Sequence, residues 1–192
     1  MEKAFNSSKN LSQKGLTWKV KNSIKETREA LKAKANISNI LKNILEKRDL
    51  YTLKIEEYLN PSLRNQTPDP LIINDMKKGV DYVYSNILKK KKIGILGDYD
   101  VDGVTSSALI FNYLSELNVN SLEVFIPDRQ IDGYGLSRNA IDYFYKKKID
   151  LVICLDCGSN EKDTIEYGAS LGISIIVIDH HEQNKQSPAL AI

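Results

Sequence analysis

The chain has 192 residues, of which 42% are hydrophobic, so it is long enough for one α/β domain with an N-terminal extension. No apolar run reaches membrane-spanning length and the first residues do not resemble a signal peptide, so we expect a cytoplasmic protein with no membrane partner. The net charge of +2 is unevenly spread, because residues 1–50 carry twelve Lys/Arg and five Asp/Glu (net +7), whereas residues 51–192 carry fifteen and twenty (net −5). This distribution favours a polyanionic partner, although a solvated N-terminal arm explains it equally well.

The first half of the chain is predicted to be basic and helical. Residues 1–35 are polar and rich in Lys, Asn and Ser, which predicts a flexible arm. Residues 36–90 form a predicted helical segment with helices from residue 37 onward, over 50–58 and over 75–88, and a Pro-Asp-Pro linker at 68–70. For the third helix, the spacing predicts an inward face of Met76, Val80, Val83, Ile87 and Leu88.

The second half, residues 91–192, alternates between strands and helices. Short apolar runs predict strands at 93–96, 122–126, 151–155 and 173–178, and helical spacing lies between them at 104–117, 140–147 and 164–171. Buried strands that alternate with helices indicate an α/β fold with a doubly wound, mostly parallel sheet.

Acidic residues follow three of these four strands. The first strand is followed by Asp98, Asp100 and Asp102, the third by Asp156, and the fourth by Asp179, His180 and His181. The carboxyl ends of parallel strands meet at one edge, where ligands bind. Clustered carboxylates with imidazoles suit Mn²⁺ or Mg²⁺, and there are enough of them to hold two ions. The alternative is that these aspartates only cap helices and turns.

Two other metal or redox motifs fit less well. The spacing Asp98-x-Asp100-x-Asp102 matches the start of an EF-hand loop, but the required Glu is replaced by Leu109. Cys154 and Cys157 have a C-x-x-C spacing, but no second cysteine pair completes a zinc site, and no thioredoxin-like helix follows.

The acidic motifs resemble those of the DHH phosphoesterases, and one further segment resembles the RecJ branch of that family. The matching segments are Gly97-Asp98-Tyr99-Asp100-Val101-Asp102-Gly103, Asp156, Asp179-His180-His181, and, for the RecJ branch, Ile126-Pro127-Asp128-Arg129 with Asp132-Gly133-Tyr134-Gly135-Leu136. The resemblance covers roughly residues 50–185.

The resemblance implies a role for each residue. The implied metal ligands are Asp98, Asp100, Asp102, Asp156, which would bridge two ions, and His180. Asp179 would orient the histidines, and His181 and Arg129 would be catalytic residues that face the scissile phosphate. Tyr134 would bind substrate by stacking on a base, although a packed loop tyrosine is an open alternative.

The chain departs from the family pattern in two respects. Leu96 stands where many members have a histidine ligand, and the fourth motif with its aspartate does not follow the third. We therefore expect an N-terminal portion whose partners are single-stranded DNA and the remaining part of the enzyme. The implied function is a 5′–3′ single-stranded-DNA exonuclease in DNA repair and recombination. The alternatives are a phosphodiesterase or pyrophosphatase for small nucleotides, or an inactive fragment that binds metal or nucleic acid.

Overall fold

The structure, a computed structural model, describes residue 16 and residues 37–48, 55–182 and 190–191. The basic arm expected over residues 1–35 lies outside the described residues, apart from Leu16. The chain divides into two compact units, Met1–Pro68 and Asp69–Ile192, and we describe each by itself. The predicted Pro-Asp-Pro linker falls at this division, and the helix predicted over 75–88 belongs to the same unit as the sheet.

The described part of the first unit contains three short helices, which are α1 (Asn39–Lys47), α2 (Ile55–Leu59) and α3 (Leu63–Gln66). Ser38 begins α1, since its hydroxyl oxygen accepts a hydrogen bond from the N–H of Leu41 at 3.2 Å. Leu45 is buried at the centre of a small apolar cluster with Ile37, Leu41 and Leu59. The helix predicted over 50–58 is observed only as α2, because residues 49–54 are outside the described part.

The second unit alternates between helices and strands, as the sequence predicts. After a 3₁₀ turn at Pro70–Ile72, the elements are α4 (Met76–Leu88), β1 (Ile93–Gly97), α5 (Val101–Glu116), β2 (Leu122–Phe125), α6 (Arg138–Lys146), β3 (Leu151–Leu155), α7 (Lys162–Ser170), β4 (Ser174–Ile178) and β5 (Leu190–Ala191). No helix in the described ranges is long and apolar enough to cross a membrane.

The five strands form one parallel sheet in the order β2-β1-β3-β4-β5. Every residue of β1 and β3 is buried, which explains why these segments read as continuous apolar runs. Ile95 pairs with Val124 on one side and with Ile153 on the other, so β1 is a central strand. The predicted α/β fold with a mostly parallel sheet is confirmed.

Helices cover both faces of the sheet. On one face, α6 and α7 pack over a core centred on Phe144, which is fully buried and contributes roughly 2–3 kcal/mol of hydrophobic free energy. On the other face, α4 and α5 pack through Val83, Ile110 and Leu114 against Ile93, Ile95, Leu151, Ile153 and Ile176. This arrangement leaves the carboxyl ends of the strands open at one edge of the sheet.

The inward face of α4 differs from the predicted one. Val80 and Leu88 are 53% and 65% exposed, so their predicted inward orientation is wrong. The packed side instead includes Tyr82, whose hydroxyl forms a 2.7 Å hydrogen bond with the Ser174 hydroxyl. The packed side of α4 therefore includes Tyr82, Val83 and Ile87, and the contact of Tyr82 with Ser174 attaches it to β4.

The start of α5 is fixed by two glycines. A Cβ on Gly103 would lie 2.3 Å from the carbonyl oxygen of Asp98, and one on Gly97 would lie 2.1 Å from the Ser107 hydroxyl. Only glycine permits so close an approach of helix and strand. The carboxylate of Asp100 accepts hydrogen bonds from the N–H groups of Asp102 and Gly103, at 3.0 and 3.1 Å. This cap starts α5 three residues earlier than predicted.

Candidate metal centre

The segment after β1 places three aspartates in different environments. Asp98 is 1% exposed, and its Oδ1 has no hydrogen-bond donor among the residues that the structure describes. Asp100 caps α5, and the N–H of Gly103 is the main reason that its pKa is lowered. Asp102 lies in the first turn of α5 and is exposed. The cap interpretation of Asp100 is therefore correct, but capping does not use all of its lone pairs.

Asp156 directly follows β3 and has a left-handed backbone, with φ of 61°. Its N–H donates to the carbonyl of Ile178 at 2.9 Å, which ties the loop to the end of β4. Its carboxylate Oδ1 lies 3.1 Å from Nε2 of His180. The Asp156 side chain is 8% exposed and the His180 side chain is 75% exposed, so the buried carboxylate contacts an imidazole that solvent can reach.

Asp179, after β4, fixes the position of His181. Its buried carboxylate accepts hydrogen bonds from the N–H of Ser159, the N–H of His181 and the ring Nδ1 of His181, at 3.1, 3.1 and 2.7 Å. Burial raises the pKa of Asp179, but these donors outweigh it, so that the pKa is lowered. In turn, the hydrogen bond to Asp179 raises the pKa of His181.

The centre brings together groups that conflict in the absence of a cation. Burial raises the pKa of Asp156, and the nearby carboxylate of Asp100 raises it further. The ligand atoms of Asp156, His180 and His181 lie within 4.8 Å of one another. Carboxylate and imidazole donors suit Mn²⁺, and a divalent ion there would remove the repulsion between Asp156 and Asp100. The residues present therefore fit a divalent cation.

Aromatic residues and Arg129 adjoin this cluster. The guanidinium of Arg129 lies 5.5 Å from the ring centroid of Tyr99, a cation–π contact. The ring of Tyr99 makes an edge contact with Tyr134 at 6.3 Å, and Tyr134 makes another with His181 at 6.0 Å. These contacts connect Arg129 to the centre through two tyrosines.

The structure thus brings together only some of the predicted site residues. Among the described residues, Asp156, His180 and His181 form the group with metal-ligand spacing, whereas Asp98, Asp100 and Asp102 lie outside it. The metal and catalytic roles of all these residues stay predictions.

Two contributors to the site were not predicted from the sequence. Tyr99 lies inside the acidic motif, so its position next to Asp98 and Asp100 was an available signal. Ser159 acts through its backbone N–H, which donates to Asp179 and which any residue except proline could supply. The role of the Ser159 backbone therefore cannot be recognised from the type of residue at this position.

Cys154 lies in β3 and Cys157 lies in the loop that follows it. Both are free and fully buried, and burial raises the pKa of both thiols, so that little thiolate forms near neutral pH. The described group with metal-ligand spacing contains neither of them.

Comparison with known protein families identifies a match for the second half of the chain. Residues 92–192 match the model of the DHH family, N-terminal domain. The matched range includes all five strands of the sheet and all of the predicted site residues.

The chain is also similar to nucleases of known name. It is 27% identical over 173 residues to the single-stranded-DNA-specific exonuclease RecJ of Bacillus subtilis (strain 168), covering 90% of this chain and 22% of that protein. It is 32% identical over 117 residues to the corresponding RecJ of Escherichia coli (strain K12), covering 61% of this chain and 20% of that protein. The chain thus spans about a fifth of the length of these curated relatives.

A solved structure resembles the chain as well. The crystal structure of an exonuclease RecJ bound to manganese superposes with a TM-score of 0.58 at 28% identity, covering 62% of this chain and 31% of that one.

Proposed function

Because the chain belongs to the DHH family, we propose that it contributes the metal-binding part of a phosphoesterase that degrades single-stranded DNA from the 5′ end. The observation that carries the proposal is the cluster of Asp156, His180 and His181, whose ligand atoms lie within 4.8 Å of one another at the carboxyl edge of the sheet. The RecJ names of the relatives support single-stranded DNA as substrate.

We assign two divalent ions, Mn²⁺ or Mg²⁺, to this edge. The residues that would hold them are Asp98, Asp100, Asp102, Asp156 and His180, with Asp156 shared between the two ions. Bound there, the ions would polarise a phosphate oxygen and lower the pKa of a water. The buried Oδ1 of Asp98, which lacks a described donor, supports a ligand role for that side chain.

The protein's own side chains would bind and orient the phosphate. Arg129 has a fork of N–H groups that matches phosphate oxygens, and its contact with Tyr99 restricts where the fork can point. His181 is held by Asp179, which raises its pKa and so increases its protonated fraction near neutral pH. A protonated His181 would donate a hydrogen bond to the scissile phosphate or a proton to the leaving oxygen.

The wider role follows from the relatives and stays a proposal. As a RecJ-type nuclease the protein would act in DNA repair and recombination, in the cytoplasm, with the remaining part of the enzyme as a partner. Since the relatives are about five times longer, we expect the 192 residues alone to turn over DNA slowly. Positioning of the phosphate by other domains is worth roughly 7–11 kcal/mol of barrier in favourable cases.

The test compares substrates in the presence of Mn²⁺. The 192-residue protein is incubated with a 5′-labelled single-stranded oligonucleotide, the same sequence as a duplex, a dinucleotide and pyrophosphate. We expect slow, Mn²⁺-dependent release of the 5′ nucleotide from the single strand. Asp100→Ala should abolish this release, and Asp163→Ala, which changes an exposed aspartate in the first turn of α7, should not.

The outcomes separate the three candidate functions. Faster hydrolysis of the dinucleotide or of pyrophosphate than of the single strand would contradict the proposal in favour of a small-nucleotide phosphoesterase. Binding of Mn²⁺ or DNA with no Asp100-dependent hydrolysis of any substrate would indicate a binding fragment without activity.

A further inference from the structure

Tyr134 reaches the metal centre from a turn that two glycines shape. Gly133 and Gly135 on either side of it have φ of 79° and 70°, in the left-handed region that favours glycine. A Cβ on Gly135 would lie 3.2 Å from the Cβ of Cys157, so the turn lies directly against the loop that follows β3. The turn thus delivers the Tyr134 side chain to the segment that contains Asp156.

The hydroxyl of Tyr134 makes its polar contacts with two residues of the centre. It donates a hydrogen bond to the backbone carbonyl of Asp156 at 3.2 Å. It also lies 3.4 Å from both ring nitrogens of His181. The carbonyl oxygen of Asp156 can only accept a hydrogen bond, so the Tyr134 hydroxyl is the donor in this contact.

The contact with Asp156 matters because that residue has an unfavourable backbone. A φ of 61° is uncommon for a non-glycine residue, although aspartate adopts it more readily than most, and contacts with its surroundings stabilise it. The N–H of Asp156 is bound to the carbonyl of Ile178, and its carbonyl to the hydroxyl of Tyr134. These two anchors on opposite sides of the residue fix the direction in which its carboxylate points.

We propose that Tyr134 is a positioning residue of the metal centre, whose hydroxyl anchors the backbone of Asp156 and contacts the ring of His181 in the arrangement that binds divalent ions. The inference rests on the proposed function because it requires that the centre binds divalent ions. It does not depend on which substrate the protein hydrolyses. It differs from the stacking role that the sequence suggested, because the hydroxyl acts on the protein and the ring need not contact a base.

The experiment removes the hydroxyl and keeps the ring. Mn²⁺ affinity is measured by titration calorimetry, without nucleic acid, for the unsubstituted protein, Tyr134→Phe and the control Tyr113→Phe, whose exposed ring lies in the second half of α5. Loss of a group that orients a ligand typically weakens metal binding by about 10–100-fold, and we expect about tenfold for Tyr134→Phe. The control should bind Mn²⁺ like the unsubstituted protein, and circular dichroism should show both variants folded.

Hydrolysis of the single strand supplies a second readout. A positioning role predicts that Tyr134→Phe lowers kcat with little change in KM, whereas a stacking role predicts no change in Tyr134→Phe and a raised KM in Tyr134→Leu. Unaltered Mn²⁺ affinity in Tyr134→Phe, or no Mn²⁺ binding by the unsubstituted protein, would overturn the inference. If Tyr134→Phe binds Mn²⁺ about tenfold more weakly but the unsubstituted protein does not hydrolyse DNA, Tyr134 remains a positioning residue. That result would contradict only the proposed function.

Discussion

Replacement of Gly103 by alanine should displace the start of α5 and the aspartates attached to it. The new Cβ would lie 2.3 Å from the carbonyl oxygen of Asp98 and 2.4 Å from its nitrogen. Because non-bonded heavy atoms are comfortable at about 3.5 Å, the helix must withdraw by roughly 1 Å. Overpacking against backbone costs up to about 3 kcal/mol, and the better helix propensity of alanine returns about 1 kcal/mol. We expect a net loss of about 2 kcal/mol in the free energy of unfolding.

The same shift should also weaken metal binding, because α5 begins at Asp100 and contains Asp102. A misplacement of about 1 Å can cost on the order of 100-fold in activity. Urea denaturation measures the loss in the free energy of unfolding, and Mn²⁺ calorimetry measures the loss of metal affinity. Gly172→Ala is the matched control, since its φ is 81° but no atom lies within 4 Å of the added Cβ. It should lose about 1–2 kcal/mol through backbone strain and keep its Mn²⁺ affinity. Wild-type stability and Mn²⁺ affinity in Gly103→Ala would refute the reasoning.

Three further predictions concern the centre, the pH dependence of stability and the core. Asp156→Asn should lower the affinity for both ions together, whereas Asp102→Asn should lower mainly the affinity for one ion. If calorimetry finds that Asp156→Asn binds both ions with unchanged affinity, Asp156 is not a shared ligand. Burial raises the pKa of Asp150, but hydrogen bonds from the Lys91 side chain and the Lys92 N–H lower this pKa overall. The charged carboxylate therefore stabilises the fold above the ordinary aspartate pKa, and this stabilisation is lost as the pH falls through the lowered pKa. The difference in unfolding free energy between the wild type and Asp150→Asn should therefore shrink from pH 7 to pH 3, and a constant difference would argue against the ion pair. Phe144→Ala removes a fully buried ring and should cost about 3–5 kcal/mol in urea denaturation, whereas a loss below about 1 kcal/mol would mean that the core refills the space.

The sheet was predictable because its strands are buried on both faces. The continuous apolar runs of β1, β3 and β4 are separated by helical spacing, and this pattern permits few folds other than a parallel α/β sheet. β5 was not predicted, because a strand of two residues is too short to show any periodicity. The packed face of α4 was predicted wrongly in part, because the helical spacing does not show contacts with other elements such as the hydrogen bond between Tyr82 and Ser174.

The meeting of some of the predicted site residues at one edge of the sheet could be predicted, but their geometry could not. Aspartates and histidines after three strands had to meet at one edge, and the structure brings Asp156, His180 and His181 within 4.8 Å. The left-handed backbone of Asp156 and the anchor from Tyr134 depend on contacts between segments far apart in the chain. Such contacts leave no local pattern in the sequence.

Cys154 and Cys157 provide the centre with built-in reporters of local unfolding. They lie two residues before and one residue after Asp156, and both are fully buried. A thiol reagent can therefore reach them only when the end of β3 opens, and the labelling rate measures the free energy of that opening. Ions that bind the closed centre should slow the labelling in proportion to their occupancy. The labelling rate would thus report whether the proposed metal centre is occupied, without an introduced probe.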